Sequence, residues 1–353
     1  MRVIVNKQPE GPPPKPSERY DPIEIKSVPV PNPLKGTVLV KLRAAALNHR
    51  DVYIREGQYP AIKFGSTLAA DGAGDVVAVG EGVEESLVGR KVYINTSVGW
   101  ESNPRVPEDP RKYGVLGHWP LPGTLAEYIL VPRSVVFDLP AHLTYEEGAA
   151  IPLAGLTAWR ALVTLGEAKK GDKILIPGIG GGVALFALQF AVGIGCEVWV
   201  TSGSEEKLAR AIKLGAKGAV NYKNANWVAE LEKKSGGNFD AVIDGSSGPN
   251  TKQFLRLIKG GGIISVYGAV AGSNVTITMP YIWFKSAQIR GSNMGNNAEF
   301  RAMTKFIAET KLKPEVSGVW DGLENAEHAY QEMRAGKQFG KLVVRIKHAD
   351  SRL

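Results

Sequence analysis

The pattern of apolar and polar positions changes near residue 150. Before it, short apolar runs sit between glycine turns. Thr37–Leu42, Gly74–Gly80 and Lys91–Ile94 each read as a strand, which suggests a small β-rich domain. Residues 1–35 read as irregular, because Pro12-Pro13-Pro14 and the series Pro29, Pro31, Pro33 restrict the backbone. Residues 95–123 are rich in Pro, Gly and Asn and read as one long loop, a length that usually signals function or mobility. After residue 150 short apolar strands alternate with amphipathic helices. The strands are Lys173–Ile176, Glu197–Thr201, Ala219–Asn221, Ala241–Asp244 and Gly262–Tyr267. The helices are Val183–Gly193, Glu205–Lys213 (closed by Gly215), Asn226–Lys234 and Lys252–Ile258. Such alternation means βαβ units and a parallel sheet. Two further helices, Ala298–Thr310 and Ala326–Ala335, precede a closing strand at Lys341–Ile346.

Composition narrows the function classes. The chain has 353 residues, a length that suggests two domains, and its 44% hydrophobic and 22% charged content is that of a folded protein. The 41 glycines follow no collagen period and must serve turns and close approaches of the backbone. A single cysteine, Cys196, makes an internal disulfide impossible and points to a reducing, cytoplasmic setting. The net charge of +8 is dispersed and shows no basic stripe interleaved with aromatics, so nucleic acid is not an expected partner. No apolar run is long enough for a membrane span, and the start Met1-Arg2-Val3-Ile4-Val5-Asn6-Lys7 lacks the apolar core of a secretory signal.

The strongest local signal is Gly178-Ile179-Gly180-Gly181-Gly182-Val183, between a predicted strand and a predicted helix. Glycines there permit a tight turn and bring backbone N–H groups and a helix N-terminus close to a pyrophosphate. Val183 stands where the strict dinucleotide pattern has its third glycine, so the surrounding strand–loop–helix–strand context carries the reading. The end of the next strand discriminates the cofactor. An acid there would hold the ribose 2′-hydroxyl of NADH. This chain has Ser202, Ser204 and Lys207, which suit the 2′-phosphate of NADPH, although Glu205 and Glu206 oppose it in charge. NADPH is the expected cofactor.

Several segments together resemble the medium-chain dehydrogenase/reductases, and within them the zinc-free quinone oxidoreductase-like branch. They are Ala44-Ala45-Ala46-Leu47-Asn48-His49-Arg50-Asp51, Asp71-Gly72-Ala73-Gly74-Asp75-Val76-Val77-Ala78-Val79-Gly80, Gly123-Thr124-Leu125-Ala126-Glu127-Tyr128, Ile151-Pro152-Leu153-Ala154-Gly155-Leu156-Thr157-Ala158-Trp159 and Gly340-Lys341-Leu342-Val343-Val344. The resemblance implies an α/β protein. A GroES-like, β-rich catalytic domain would span residues 1–154 and 291–353, with a Rossmann NADP-binding domain of doubly wound parallel sheet at 155–290. It also implies a homodimer.

In the alcohol dehydrogenase branch a cysteine stands at the position of Asn48, a histidine near Ala70 and a further cysteine near Ala154, and residues 80–130 here contain no cysteine for a structural zinc. No zinc is therefore expected. Without a Lewis acid an alkoxide has no obvious stabiliser, whereas a conjugated carbonyl accepts hydride at carbon and spreads the charge onto oxygen. The expected activity is metal-free hydride transfer from NADPH to a quinone or an α,β-unsaturated carbonyl. The alternatives are a zinc-independent alcohol or aldehyde dehydrogenase, an accessory enoyl reductase, and a catalytically idle NADPH-binding protein.

By the same resemblance Asn48 and Tyr53 are the catalytic orienting groups, with Tyr59 at the substrate. Thr157, Ser292, Asn293 and Met294 would flank the nicotinamide, and Tyr222 the adenosine. Gly178, Gly180, Gly181, Gly182 and Val183 would form the phosphate loop. Gly268, Ala269 and Val270 would form a further cofactor loop, and Lys341 would lie near the phosphates. The branch usually ends its phosphate loop in glycine, where this chain has Ala184. Residues 97–122, with Trp100 and Trp119, would shape a large or flat substrate pocket or cover a dimer edge.

Overall fold

In the computed structural model, which describes residues 1–11, 15 and 18–348, the N-terminal stretch expected to be irregular carries two strands. β1 (Arg2–Asn6) and β2 (Ile23–Ser27) pair antiparallel, Val3 to Lys26 and Val5 to Glu24. Of the prolines that masked them, Pro29, Pro31 and Pro33 follow β2, and Pro12-Pro13-Pro14 falls outside the described residues. Val3, Ile4 and Val5 are buried, which is what a β-branched run achieves at no cost in propensity.

β3 (Thr37–Leu47) runs on five residues past the predicted strand, into α1 (His49–Arg55). β4 (Asp71–Val79) and β5 (Lys91–Ile94) follow. The long segment after β5 is no featureless loop. It contains the paired β6 (Ser97–Val98) and β7 (Gly114–Val115), and the Glu108 carboxylate accepts three main-chain N–H groups, from Glu101, Ser102 and Asn103, at 2.7–2.9 Å. Trp100 is buried edge-on against Tyr113, and Trp119 is half exposed with the Lys63 ammonium 4.3 Å from its ring. β8 (Tyr128–Pro132), β9 (Val136–Asp138) and α2 (Tyr145–Ala149) complete this stretch.

The chain divides into two compact units, one of residues 1–153 and 296–353, the other of residues 154–295. The helix α3 (Pro152–Trp159), extended by a π-helical turn over Arg160–Leu165, carries the first boundary. The second unit is a six-stranded parallel sheet. Its elements are β10 (Lys173–Ile176), α4 (Gly182–Ile194), β11 (Glu197–Ser202), α5 (Glu205–Lys213), β12 (Gly218–Asn221), α6 (Trp227–Ser235), β13 (Phe239–Asp244), α7 (Thr251–Leu257), β14 (Ile258–Val266), α8 (Pro280–Lys285) and β15 (Gln288–Gly291). The strand order is β12-β11-β10-β13-β14-β15, all parallel. Counted from β10 this is 3-2-1-4-5-6, the doubly wound dinucleotide-binding order. Leu175, Trp199, Phe239, Val242 and Phe254 belong to one buried apolar cluster of this unit. Residues 291–295 join this unit, five residues beyond the expected boundary, because β15 pairs with β14 and Ser292 N–H donates to Val266 O at 2.7 Å.

The chain then returns to the first unit with α9 (Asn297–Thr310), β16 (Val316–Asp321), α10 (Ala326–Ala335) and β17 (Lys341–Arg345). There the sheet order is β16-β17-β3-β4-β5-β9, and β8 also pairs with β3. β3 is the organiser. Its first half, Thr37–Lys41, pairs with β8 and its last residues, Ala44–Leu47, with β17, so the C-terminal part of the chain joins the sheet on an early strand. No helix among the described residues is long and apolar enough to cross a membrane.

Candidate functional site

In a parallel sheet every strand points the same way, so the loops that follow the strands gather along one edge. That edge collects nearly all the expected cofactor residues. The glycine loop follows β10, with Gly178 at φ +70° and Gly180 at φ +137°, conformations that a side chain would strain. Ile179 N–H and Gly178 N–H donate to the main-chain and hydroxyl oxygens of Thr201, which tie the loop to β11. Gly181 is the N-cap of the 13-residue α4, and Gly182 and Val183 open its first turn, whose N–H groups are the usual anion donors. Ala184 at the next position is buried, so its methyl packs in the interior where the branch has glycine.

After β11, Ser202 Oγ accepts from Ser204 N–H, and Ser204 Oγ caps α5 by accepting from Lys207 N–H. The Lys207 side chain crosses the glycine loop so closely that a β-carbon on Gly180 would lie 2.8 Å from its Cδ. Burial pushes the Lys207 ammonium pKa down. Gly203 lies under Tyr222 Oη and Lys223 Cε, 3.0 and 2.8 Å from where a β-carbon would be. Ser202, Ser204, Tyr222 and Lys223 thus border one small glycine-floored cradle. Glu205, which opposes an anion by charge, is turned toward β12 and accepts from Asn221 Nδ2 at 2.6 Å.

Beyond β13 the Asp244 carboxylate accepts from Ser246 N–H and Oγ–H and from Ser247 N–H, which makes it a loop organiser. The loop Gly268, Ala269, Val270 stands on it: Val270 N–H donates to Gly245 O, and Ala271 N–H to Ser246 O. After β15, Met294 is held at φ +49° with its sulfur accepting from Thr157 Oγ at 3.9 Å. Ser292 Oγ is buried without a partner, and Asn293 is exposed.

The first unit holds a different cluster. Asn48 caps α1, yet its side chain does not do the capping: Asp51 N–H donates to the Asn48 main-chain oxygen at 2.9 Å, and the Asp51 carboxylate accepts from Asn48 N–H at 2.8 Å. The Asn48 amide is spent elsewhere. Its Oδ1 accepts from Lys341 Nζ at 2.6 Å, and its Nδ2 donates to Asp71 Oδ2 at 2.9 Å. Lys341 also donates to Asp71 Oδ2 at 2.9 Å and to Leu47 O at 2.7 Å. Asp71 Oδ1 accepts from Leu153 N–H. Asp71 is wholly buried and Lys341 is 3% exposed. Asp51 is buried as well, and burial raises its carboxyl to about 6.

Lys341, expected near the cofactor phosphates, gives its three N–H groups to oxygens of its own unit, Leu47 O, Asn48 Oδ1 and Asp71 Oδ2. Tyr53 and Tyr59 lie outside this cluster. Tyr53 is half buried beside His49, and burial raises its hydroxyl. Tyr59 packs edge-on against His118 and under the Arg50 guanidinium, 5.2 Å from the ring centre. Arg50 is itself buried, with Nη1 on Leu116 O and with Nε and Nη2 unpartnered.

Residues 34–141 match the alcohol dehydrogenase GroES-like domain and residues 182–309 the zinc-binding dehydrogenase domain. The zinc-type alcohol dehydrogenase-like protein YogA of Leptosphaeria maculans is 42% identical over 343 residues, covering 93% of this chain and 95% of the relative. The chain belongs to the medium-chain dehydrogenase/reductase superfamily. Other superfamily members span more than one chemistry. A quinone oxidoreductase of Rattus norvegicus is 27% identical, covering 89% of this chain and 91% of its own. The solved structure of an NAD-dependent alcohol dehydrogenase superposes with a TM-score of 0.86 at 33% identity, covering 98% of this chain and 100% of that one.

The residues at this edge of the second unit fit a nicotinamide dinucleotide. The glycine loop, the first turn of α4 and the cradle at Gly203 would hold the phosphates and the adenosine end. A zinc ion fits poorly. The oxygens of Asn48 and Asp71 are already closed on an ammonium, and an amide is a poor zinc ligand beside thiolate or imidazole. Three contributors had no role in the sequence reading. Lys223 follows Tyr222 directly, and its position after a strand was the available signal. Asp71 is an acid in the apolar run Leu68-Ala69-Ala70, which demands a buried cation, although the run does not say which. Arg50 gave no signal beyond its place in the first turn of α1.

Proposed function

We propose that the protein is a metal-independent reductase that uses NADPH to reduce a quinone or an α,β-unsaturated carbonyl. The observation that carries this reading is the closure of the Asn48 and Asp71 oxygens on the Lys341 ammonium. An alcohol substrate would need a Lewis acid or a free base to take its proton. This cluster offers neither, whereas an activated alkene needs only orientation and hydrogen-bond donors at its oxygen. Bound NADPH supplies the hydride. The cradle of Ser202, Ser204, Tyr222 and Lys223, with Lys207 beside it, supports a 2′-phosphate by presenting hydroxyls and two cations to it.

A second reading is zinc-independent alcohol or aldehyde oxidation with NAD, which the 33%-identical neighbour named for that activity favours. Following cofactor absorbance with quinones, enones, aldehydes and alcohols separates the two. Turnover of NADPH with quinones or enones at least tenfold faster than with any aldehyde, and no alcohol oxidation, is the expected result. Preferred alcohol oxidation with NAD would overturn the proposal, and tight NADPH binding without turnover would make the protein an idle binder. We further propose a cytoplasmic homodimer with small-molecule substrates and no nucleic-acid or membrane partner. The exposed edge strand β15 and the apolar side chains of α8 support the dimer.

A further inference from the structure

We propose that Lys341 is a positioning residue of the reductase: it fixes the Asn48 side-chain amide so that an N–H, and not the carbonyl oxygen, is offered to the substrate. The inference rests on the reductase reading above. It starts from the unusual use of an N-cap asparagine. The side chain of such a residue ordinarily caps its helix. At α1 the cap is made by the Asn48 main-chain oxygen and the Asp51 carboxylate, which frees the amide.

The amide then has two neighbours of opposite charge. Lys341 Nζ donates to Oδ1 at 2.6 Å, and Asp71 Oδ2 accepts from Nδ2 at 2.9 Å. Turning the amide over would face its N–H groups to the ammonium and its oxygen to the carboxylate, two like-polarity contacts in a buried place. The pair therefore selects one orientation. An asparagine amide carries two N–H groups. One goes to Asp71, and the other has no partner among the described residues. Asn48 is buried, at 8% exposure, and that second N–H is the one assigned to the substrate.

This polarity matches one direction of charge flow. When hydride adds to the β-carbon of an enone, a C–H bond forms and the C=C pair moves to give an enolate, whose oxygen becomes negative. A proton from water then completes the product. An N–H donor stabilises that oxygen more than it stabilises the neutral carbonyl, which is the differential binding that raises kcat. The ammonium strengthens the donor by drawing electron density through Oδ1. Lys341 itself transfers no proton, since all three of its N–H groups are engaged.

The test uses the full-length protein with NADPH and an enone or quinone that the wild type reduces. Lys341→Met alone would leave the Asp71 carboxylate buried and unpaired, so the charge-neutral pair Lys341→Met/Asp71→Asn is measured, together with Lys341→Arg. The double variant is expected to melt within a few degrees of the wild type and to keep its NADPH Kd, read by fluorescence, within twofold. Its kcat should fall at least tenfold with little change in KM for the acceptor. Lys341→Arg should recover most of the kcat. A double variant that folds and keeps the wild-type kcat would overturn the positioning role, and so would a kcat loss that Lys341→Arg does not relieve. A wild type that reduces no quinone or enone would instead overturn the reductase reading, before any variant is compared.

Discussion

We propose that cofactor choice turns on Lys207. It lies across the glycine loop beside the Gly203 cradle, and burial has already weakened its hold on a proton. An ammonium in that state gains most from a dianion, because a phosphate restores the charged form that burial penalises. A charge-assisted hydrogen bond contributes about 1.5–3 kcal/mol. Lys207→Ala is therefore expected to raise KM for NADPH by about tenfold or more and KM for NADH by much less. Equal effects on the two cofactors, measured side by side, would remove the 2′-phosphate role. The grouping of Ser202, Ser204 and Lys207 was legible in the sequence because they stand within six positions after one predicted strand. The Lys341 partnership was not, because 270 positions separate it from Asp71 and 293 from Asn48, and only the pairing of β3 with β17 closes that distance.

At the scale of elements, legibility followed regular alternation with helices, and the buried β1, next to a proline-rich stretch, was missed. The strands of the second unit are short apolar runs set between helices, and the sequence pattern found β10 to β14 within a few residues. Strands that are short, or half exposed at an edge, were missed: β16 alternates exposed and partly buried positions and contains Gly318. The pairing of β3 with β4 shows what pattern alone hides. Leu42 faces Gly74 and Ala44 faces Ala73, so Arg43 is an extra residue that bulges β3. A β-carbon at Gly74 would lie 2.1 Å from the Lys41 carbonyl oxygen. The glycine in Asp71-Gly72-Ala73-Gly74 is thus required by the close approach of two strands. Gly74→Ala is expected to cost about 2–3 kcal/mol, seen as a lower midpoint in thermal or denaturant unfolding. Gly260→Ala, whose β-carbon would meet nothing closer than 3.9 Å, should be nearly neutral. Equal midpoints for the two variants would refute the packing argument.

The whole molecule presents one feature that the single chain leaves unsatisfied. β15 ends the six-stranded sheet, with Ile289 exposed on it. Just before it in the chain, α8 shows Trp283 57% and Phe284 83% exposed. An uncovered strand edge beside large apolar side chains is a template for pairing, which proteins either block or use. No proline or lysine interrupts Gln288-Ile289-Arg290-Gly291, and its one charge, Arg290, is neutralised by Glu167. A second copy of the same edge across a twofold axis would extend the sheet and cover the apolar groups of both chains at once. The proposed homodimer is therefore expected in sedimentation at micromolar concentration. It should persist in about 0.5 M salt, because apolar burial is not screened as exposed ion pairs are, and the +8 net charge of each chain repels less there. Phe284→Glu combined with Ile289→Glu places like charges at the shared edge with no apolar cover, and should shift the protein to monomer while NADPH still binds. A wild type that sediments as a monomer would overturn the dimer, and a double variant that remains dimeric would place the subunit contact elsewhere and leave this edge without that role.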